Sequence, residues 1–184
     1  MVSSEMVWEN KDTFGCEYLK FTVAEHSFFA ESTGIYLEPN YPIQINYQIA
    51  LDRAWRTKSV AIQNRSGNKL QLTSTGTGNW FDEHGNQLDK LTGSIDVDLS
   101  ATPFSNTFPI NRSDWKTGQT REFDMAYIFV PLLEVQKMKQ TYTFIETKGK
   151  NKVSKFQSPG FESLILVDEN GFVVEYPQLF SRRY

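Results

Sequence analysis

Residues 43–51 read Ile43-Gln44-Ile45-Asn46-Tyr47-Gln48-Ile49-Ala50-Leu51. Every odd position is apolar, and the positions between hold amides and one alanine. A period of two sends alternate side chains to opposite faces of an extended chain, so this stretch is a half-buried β-strand. The same alternation occurs at Leu19/Phe21/Val23, Leu70/Leu72, Ile95/Val97/Leu99 and Phe123/Met125/Tyr127/Phe129. Tyr142–Glu146, Leu164–Val167 and Phe172–Tyr176 are rich in β-branched and aromatic residues, which favour strands. Turn residues fall between these runs at short intervals. Examples are Asn64-Arg65-Ser66-Gly67-Asn68, Gly76-Thr77-Gly78-Asn79, Glu83-His84-Gly85-Asn86 and Lys148-Gly149-Lys150-Asn151. Asp168-Glu169-Asn170-Gly171 predicts a hairpin. Many short strands with frequent turns predict a barrel, roll or sandwich.

One helix stands out against this background. Thr102-Pro103-Phe104-Ser105-Asn106-Thr107-Phe108 offers a threonine N-cap, proline at the first helical position and Pro109 as a stop. The stretch 132–138 has helical spacing, but Thr141-Tyr142-Thr143-Phe144 behind it favours strand. No linker, repeat or low-complexity tract divides the chain, so a single domain over residues 1–184 is expected.

The 184 residues carry 19 Lys+Arg against 22 Asp+Glu, a net charge of −3, which disfavours nucleic acid as a partner. Residues 1–10 hold two acids and no apolar core, unlike a secretory signal. No apolar run approaches the ~20 residues of a membrane span. A cytoplasmic location is therefore expected. With one cysteine, Cys16, no intramolecular disulfide can form, and with His26 and His84 far apart in sequence no zinc cluster is expected. Cys16 is expected as a small buried core thiol. No Gly-x-Ser-x-Gly elbow or phosphate loop is present, so no cofactor is expected.

Two groups carry candidate chemistry. Asp96 and Asp98 alternate with Ile95, Val97 and Leu99, which places both on one face of a strand, ~6.6 Å apart. Such a pair serves acid/base catalysis, a polar ligand or network, or a face turned to water. Arg53, Trp55 and Arg56 follow the strand 43–51. A guanidinium suits anionic head groups and an indole suits the face of a sugar, while a plain strand end with Arg in water is the simpler alternative. The aromatic residues of the middle third, Phe104, Phe108, Trp115, Phe123, Tyr127 and Phe129, exceed a minimal core. They either pack solidly or line an apolar cavity.

Three segments together resemble one family. They are Asp52-Arg53-Ala54-Trp55-Arg56-Thr57, the long stretch 93–110 (GSIDVDLSATPFSNTFPI), and Gly171-Phe172-Val173-Val174-Glu175-Tyr176-Pro177. In composition, order and spacing they resemble the bacterial glycolipid-binding family of spiral β-roll proteins. Ser94 stands where that family often has cysteine, Phe108 where leucine is usual, and Asn111-Arg112 where two arginines are found. The resemblance implies a mainly β fold: a highly curved, many-stranded antiparallel sheet wrapped around a single short helix, assembling as a homodimer. It implies a non-enzymatic protein with an aromatic-lined cavity or groove for a glycolipid or other amphiphile. On that expectation Phe104 and Phe108 hold acyl carbon, and Trp55, Arg56, Asp96, Asp98 and Asn106 bind the polar head. Two alternatives stand beside it: a hydrolase or glycan-acting enzyme using Asp96 and Asp98, and a structural protein acting as a dimer.

Overall fold

The computed structural model describes residues 2–39 and 41–184. Fourteen strands form one sheet. The first meander comprises β1 (Val2–Asn10), β2 (Gly15–Val23), β3 (Ser27–Leu37), β4 (Pro42–Asp52), β5 (Thr57–Asn64), β6 (Lys69–Ser74) and β7 (Trp80–Phe81). The second comprises β8 (Asp96–Leu99), β9 (Thr120–Phe129), β10 (Glu134–Lys148), β11 (Asn151–Ser158), β12 (Phe161–Val167), β13 (Val173–Tyr176) and β14 (Phe180–Arg182). The strand order β7-β6-β5-β4-β3-β2-β1-β14-β13-β12-β11-β10-β9-β8 joins the two meanders through β1 and β14, with Trp8 opposite Arg182. Neighbours run antiparallel except β8 and β9, which are parallel because the helix and its flanking loops intervene between them. No helix among the described residues is long and apolar enough to cross a membrane.

The alternation in 43–51 maps directly onto β4: Ile43, Ile45, Tyr47, Ile49 and Leu51 are buried. Stretch 134–148 is strand, as its β-branched end favours. In β9 the alternation shifts. Met125, Ala126 and Ile128 are buried, whereas Phe129, at the end of the strand, is 47% exposed. Cys16 corrects the expectation of a buried thiol. It is exposed, since the inward positions of β2 are Glu17, Leu19 and Phe21 and residue 16 points the other way.

The sheet's two free edges, β7 and β8, curl toward one another. They meet through isolated side-chain and backbone hydrogen bonds rather than a ladder, with β5 also reached from β8. Trp80 Nε1 donates to the Ser94 carbonyl at 2.6 Å, and Val97 N donates to Thr57 Oγ1 at 3.0 Å. Gly93 N also donates to the Gly78 carbonyl at 2.8 Å. A Cβ on Gly78 (φ +97°) would fall 2.8 Å from the Gly93 Cα, so this backbone approach requires glycine.

Inside the curl runs a 3₁₀ turn, Phe104–Asn106, continued by α1 (Thr107–Asn111). Pro103, expected at the first helical position, stands instead at the N-cap of the 3₁₀ turn, and Thr102, expected as the cap, lies one residue before it with its Oγ1 accepting from Phe104 N at 3.0 Å. Pro109 does not stop the helix. It lies within the first turn of α1, where a missing N–H removes no intrahelical bond, and the helix runs on to Asn111.

The seam gives the first prediction. Thr57→Val leaves the buried Val97 N–H without a partner, at a cost of about 1–3 kcal/mol. Chemical denaturation should show that loss, and amide exchange at Val97 should quicken more than exchange within β3 and β4. Equal exchange at both places would contradict the seam as described.

Candidate functional site

Around the internal helix the three segments that carry the family resemblance come together. Asp52 Oδ1 accepts from Ala54 N at 2.9 Å and Arg56 N at 3.0 Å, closing a turn with Trp55 in left-handed conformation at φ +62°. That turn lays the Trp55 ring parallel to Phe21, 5.5 Å between centroids, and against Phe28 at 4.5 Å. Phe172 touches Phe21, Trp55 and Phe104, and Phe104 meets Phe108 edge to face at 5.0 Å. Phe104 and Phe108 have no exposed surface. Gly171 (φ +81°) sits tightly against Asn111, whose Nδ2 donates to the Asn170 carbonyl at 2.7 Å.

Polar side chains stitch this aromatic plug to both halves of the sheet. Asp96, with no exposed surface, pairs with Arg112, the single arginine of the Asn111-Arg112 step. The solvated face open to it on sequence grounds is therefore excluded, because Arg112 and the helix segment lie over that face of the strand. Asp98 accepts from Ser105 Oγ and from Gln140 Nε2 at 2.5 Å. Tyr142 OH donates to Asn106 Oδ1 at 2.8 Å. Burial pushes the Asp96 carboxyl up to about 6 even with Arg112 drawing it down, and burial raises Asp98 against its bonds from Ser105 and Gln140. Of the residues expected to bind ligand, Trp55, Asp96, Asp98, Phe104, Asn106 and Phe108 thus gather about one helix. Arg56 lies apart, exposed beyond the Trp55 turn.

A second buried carboxylate escaped the sequence reading. Glu17 shares the inward face of β2 with Leu19 and Phe21 and is 1% exposed. Its Oε1 accepts from Ser32 Oγ at 2.7 Å and from Tyr47 OH, while Oε2 has no partner. Tyr47 OH also lies 3.2 Å from Thr102 Oγ1, and Tyr36 OH donates to the Ala101 carbonyl. These links tie β2, β3 and β4 to the start of the helix. The signal was present: an acid in phase with Leu19 and Phe21.

The outward face of β2–β6 holds a groove of about 510 Å³. Its floor is two rungs of side chains that cross the strands in register. One rung runs Tyr18–Thr33–Asn46–Gln63–Lys69, the next Lys20–Glu31–Gln48–Ala61–Gln71. Thr33 Oγ1 donates to Asn46 Oδ1 at 2.8 Å and Gln48 Nε2 to Glu31 Oε1 at 3.0 Å, and Glu83 stands at the rim. Smaller grooves lie over β10–β13 beside Leu164 and Glu175, and beside Arg112, Phe123 and Lys139. None of the three is lined by Asp96, Asp98, Phe104, Asn106 or Phe108.

A family model described as "Putative glycolipid-binding" matches residues 5–182. The chain belongs to this family. A crystal structure of a DUF1089 family protein from Pseudomonas aeruginosa is similar, with a TM-score of 0.77 and 30% identity, covering 90% of this chain and 91% of that one. No curated protein matches the sequence. The spiral sheet about a short helix, expected from the family, is the fold observed.

The buried acids set a pH dependence. Burial pushes Glu17 from an ordinary 4.5 up to about 7, against its hydrogen bonds from Tyr47 and Ser32. A carboxyl whose folded value is raised contributes its stability in full below the unfolded value and loses it as pH rises through the folded one. Asp96 acts in the same direction between 3.8 and about 6. The melting temperature is expected to fall from about pH 5 to pH 8, and Glu17→Gln to remove much of that slope and stabilise the protein at the upper end by on the order of a few kcal/mol. A melting temperature that rises across this window, with no effect of Glu17→Gln, would contradict the buried-acid assignment.

Proposed function

We propose that this protein binds a glycolipid without transforming it, and that the sugar head lies in the groove on the outward face of β2–β6. The two polar rungs carry this reading. A sugar offers hydroxyls that each donate and accept, and the amides of Asn46, Gln48, Gln63 and Gln71 present a donor and an acceptor side by side. Tyr18 adds a half-exposed ring with a polar tip. The groove's volume falls in the range of small-ligand sites, about 300–1,000 Å³.

On this reading the interior residues hold the shape. Trp55, Phe104 and Phe108 fill the curl, and Asp96, Asp98 and Asn106 fix the helix within it. The family description supports glycolipid as the ligand class. Acid/base chemistry by Asp96 and Asp98 is disfavoured, because both carboxylates are engaged by Arg112, Ser105 and Gln140.

Titration calorimetry with short-chain glycosyl glycerolipids tests the site. Each lost hydrogen bond contributes about 0.5–1.5 kcal/mol, so Asn46→Ala with Gln48→Ala should weaken binding roughly tenfold or more while the exposed positions leave melting unchanged. Asp96→Ala should instead lower stability by about 3–5 kcal/mol, through the uncompensated charge left on Arg112. Unaltered affinity in the groove variant, together with abolished binding in a folded Asp98→Asn protein, would move the site to the interior.

A further inference from the structure

The outward face of β2–β4 changes character along the strands. Next to the Tyr18–Thr33–Asn46 rung lies Cys16–Ile35–Gln44, and beyond it Leu37 pairs with Pro42 while Leu37 N donates to the Phe14 carbonyl at 2.8 Å. Phe14, which directly precedes β2, is 82% exposed, Ile35 50% and Leu37 48%. Successive rungs on one face are ~6.6 Å apart, so the polar groove passes within two rungs into an apolar end. One surface thus carries the two halves of an amphiphile in order.

We propose that this apolar end docks on the surface of a lipid bilayer, so that the groove reads a glycolipid head while its acyl chains stay in the membrane. This rests on the headgroup reading above. An open face of three large apolar side chains cannot enclose an acyl chain. The chains must therefore keep their burial elsewhere, and the bilayer supplies it. Phe14, at the end of the β1–β2 turn, is placed to enter the interfacial layer, where aromatic and aliphatic residues anchor peripheral proteins. Arg65, whose N–H donates to the Gln44 carbonyl, and Lys69, at the end of the neighbouring Tyr18 rung, have no carboxylate in ion-pair contact among the described residues, which complements lipid phosphates, whereas Lys20 stands farther off between Glu5 and Glu31. The acids Asp12 and Glu38 stand in the turns beside the patch, so apolar insertion leads and phosphate attraction assists.

Flotation with phosphatidylcholine vesicles, plain or doped with monogalactosyl diacylglycerol, tests the docking. The wild type should float with both and more strongly with the doped vesicles. Phe14→Ser with Leu37→Ser should lower partitioning about tenfold or more, with melting temperature and affinity for a soluble galactoside unchanged. The Asn46→Ala, Gln48→Ala protein should keep its binding to plain vesicles and lose the gain from galactolipid. Unchanged flotation of the serine variant overturns the proposal. So does a wild type that binds soluble glycosides but no vesicles, which leaves the headgroup reading standing. Patch-dependent flotation with no gain from galactolipid instead overturns the headgroup reading and keeps the docking. If the serine substitutions convert a dimer to a monomer in sedimentation without altering flotation, the patch belongs to a second copy of the chain and the bilayer assignment falls.

Discussion

A sheet of fourteen strands that curls until its edges meet must fill the space it encloses, and here one short helix does so. Phe104 and Phe108 occupy the centre, with Phe21, Trp55 and Phe172 packed around them. Each such side chain contributes roughly 1.5–3 kcal/mol on burial. Remove the helix and the curl has nothing to close upon. The polar stitches then set which part of the sheet meets which part of the helix: Asp98 to Ser105, Tyr142 to Asn106, Tyr36 to Ala101, Asp96 to Arg112.

This division explains why Asp96, Asp98, Phe104, Asn106 and Phe108, residues with the look of a ligand site, line none of the three grooves. Trp, Arg, paired Asp and Asn are the residue types that bind sugars, and they are also the types that satisfy a buried backbone and hold an irregular segment in place. Asp96 and Asp98 do the second. The same constraint frees the opposite face. Because the inward positions of β2–β6 fill the interior, their outward positions carry no packing duty and can be given to amides, hydroxyls and charges in register. Sugar recognition by those amides is the proposal this arrangement supports, and it leaves the interior undisturbed when ligand comes and goes.

Local pattern made much of this legible. The alternation of Ile43–Leu51 fixed both β4 and its buried face, and Thr102-Pro103 marked the helix start. What pattern could not convey was pairing. The rungs Tyr18–Thr33–Asn46–Gln63–Lys69 and Lys20–Glu31–Gln48–Ala61–Gln71 exist only through register across five strands, which no single stretch encodes. The clean alternation of β8 is equally compatible with an Asp96 in water, yet Arg112 and the helix segment cover it. Cys16 shows the converse: the phase set by Leu19 and Phe21 turns it outward and overrides the general habit of free cysteines to be buried. Glu17, in that same phase, was an inward acid in plain view.

The central claim is that ligand meets the outward rungs and not the aromatic plug. Side-chain amide and aromatic NMR spectra, recorded with and without a short-chain galactolipid, separate the two directly. The account predicts that the NH₂ resonances of Asn46, Gln48, Gln63 and Gln71 shift on binding while the rings of Phe104, Phe108 and Phe172 hold their positions. Contacts from ligand protons to those three rings, with the four amides unmoved, would contradict it.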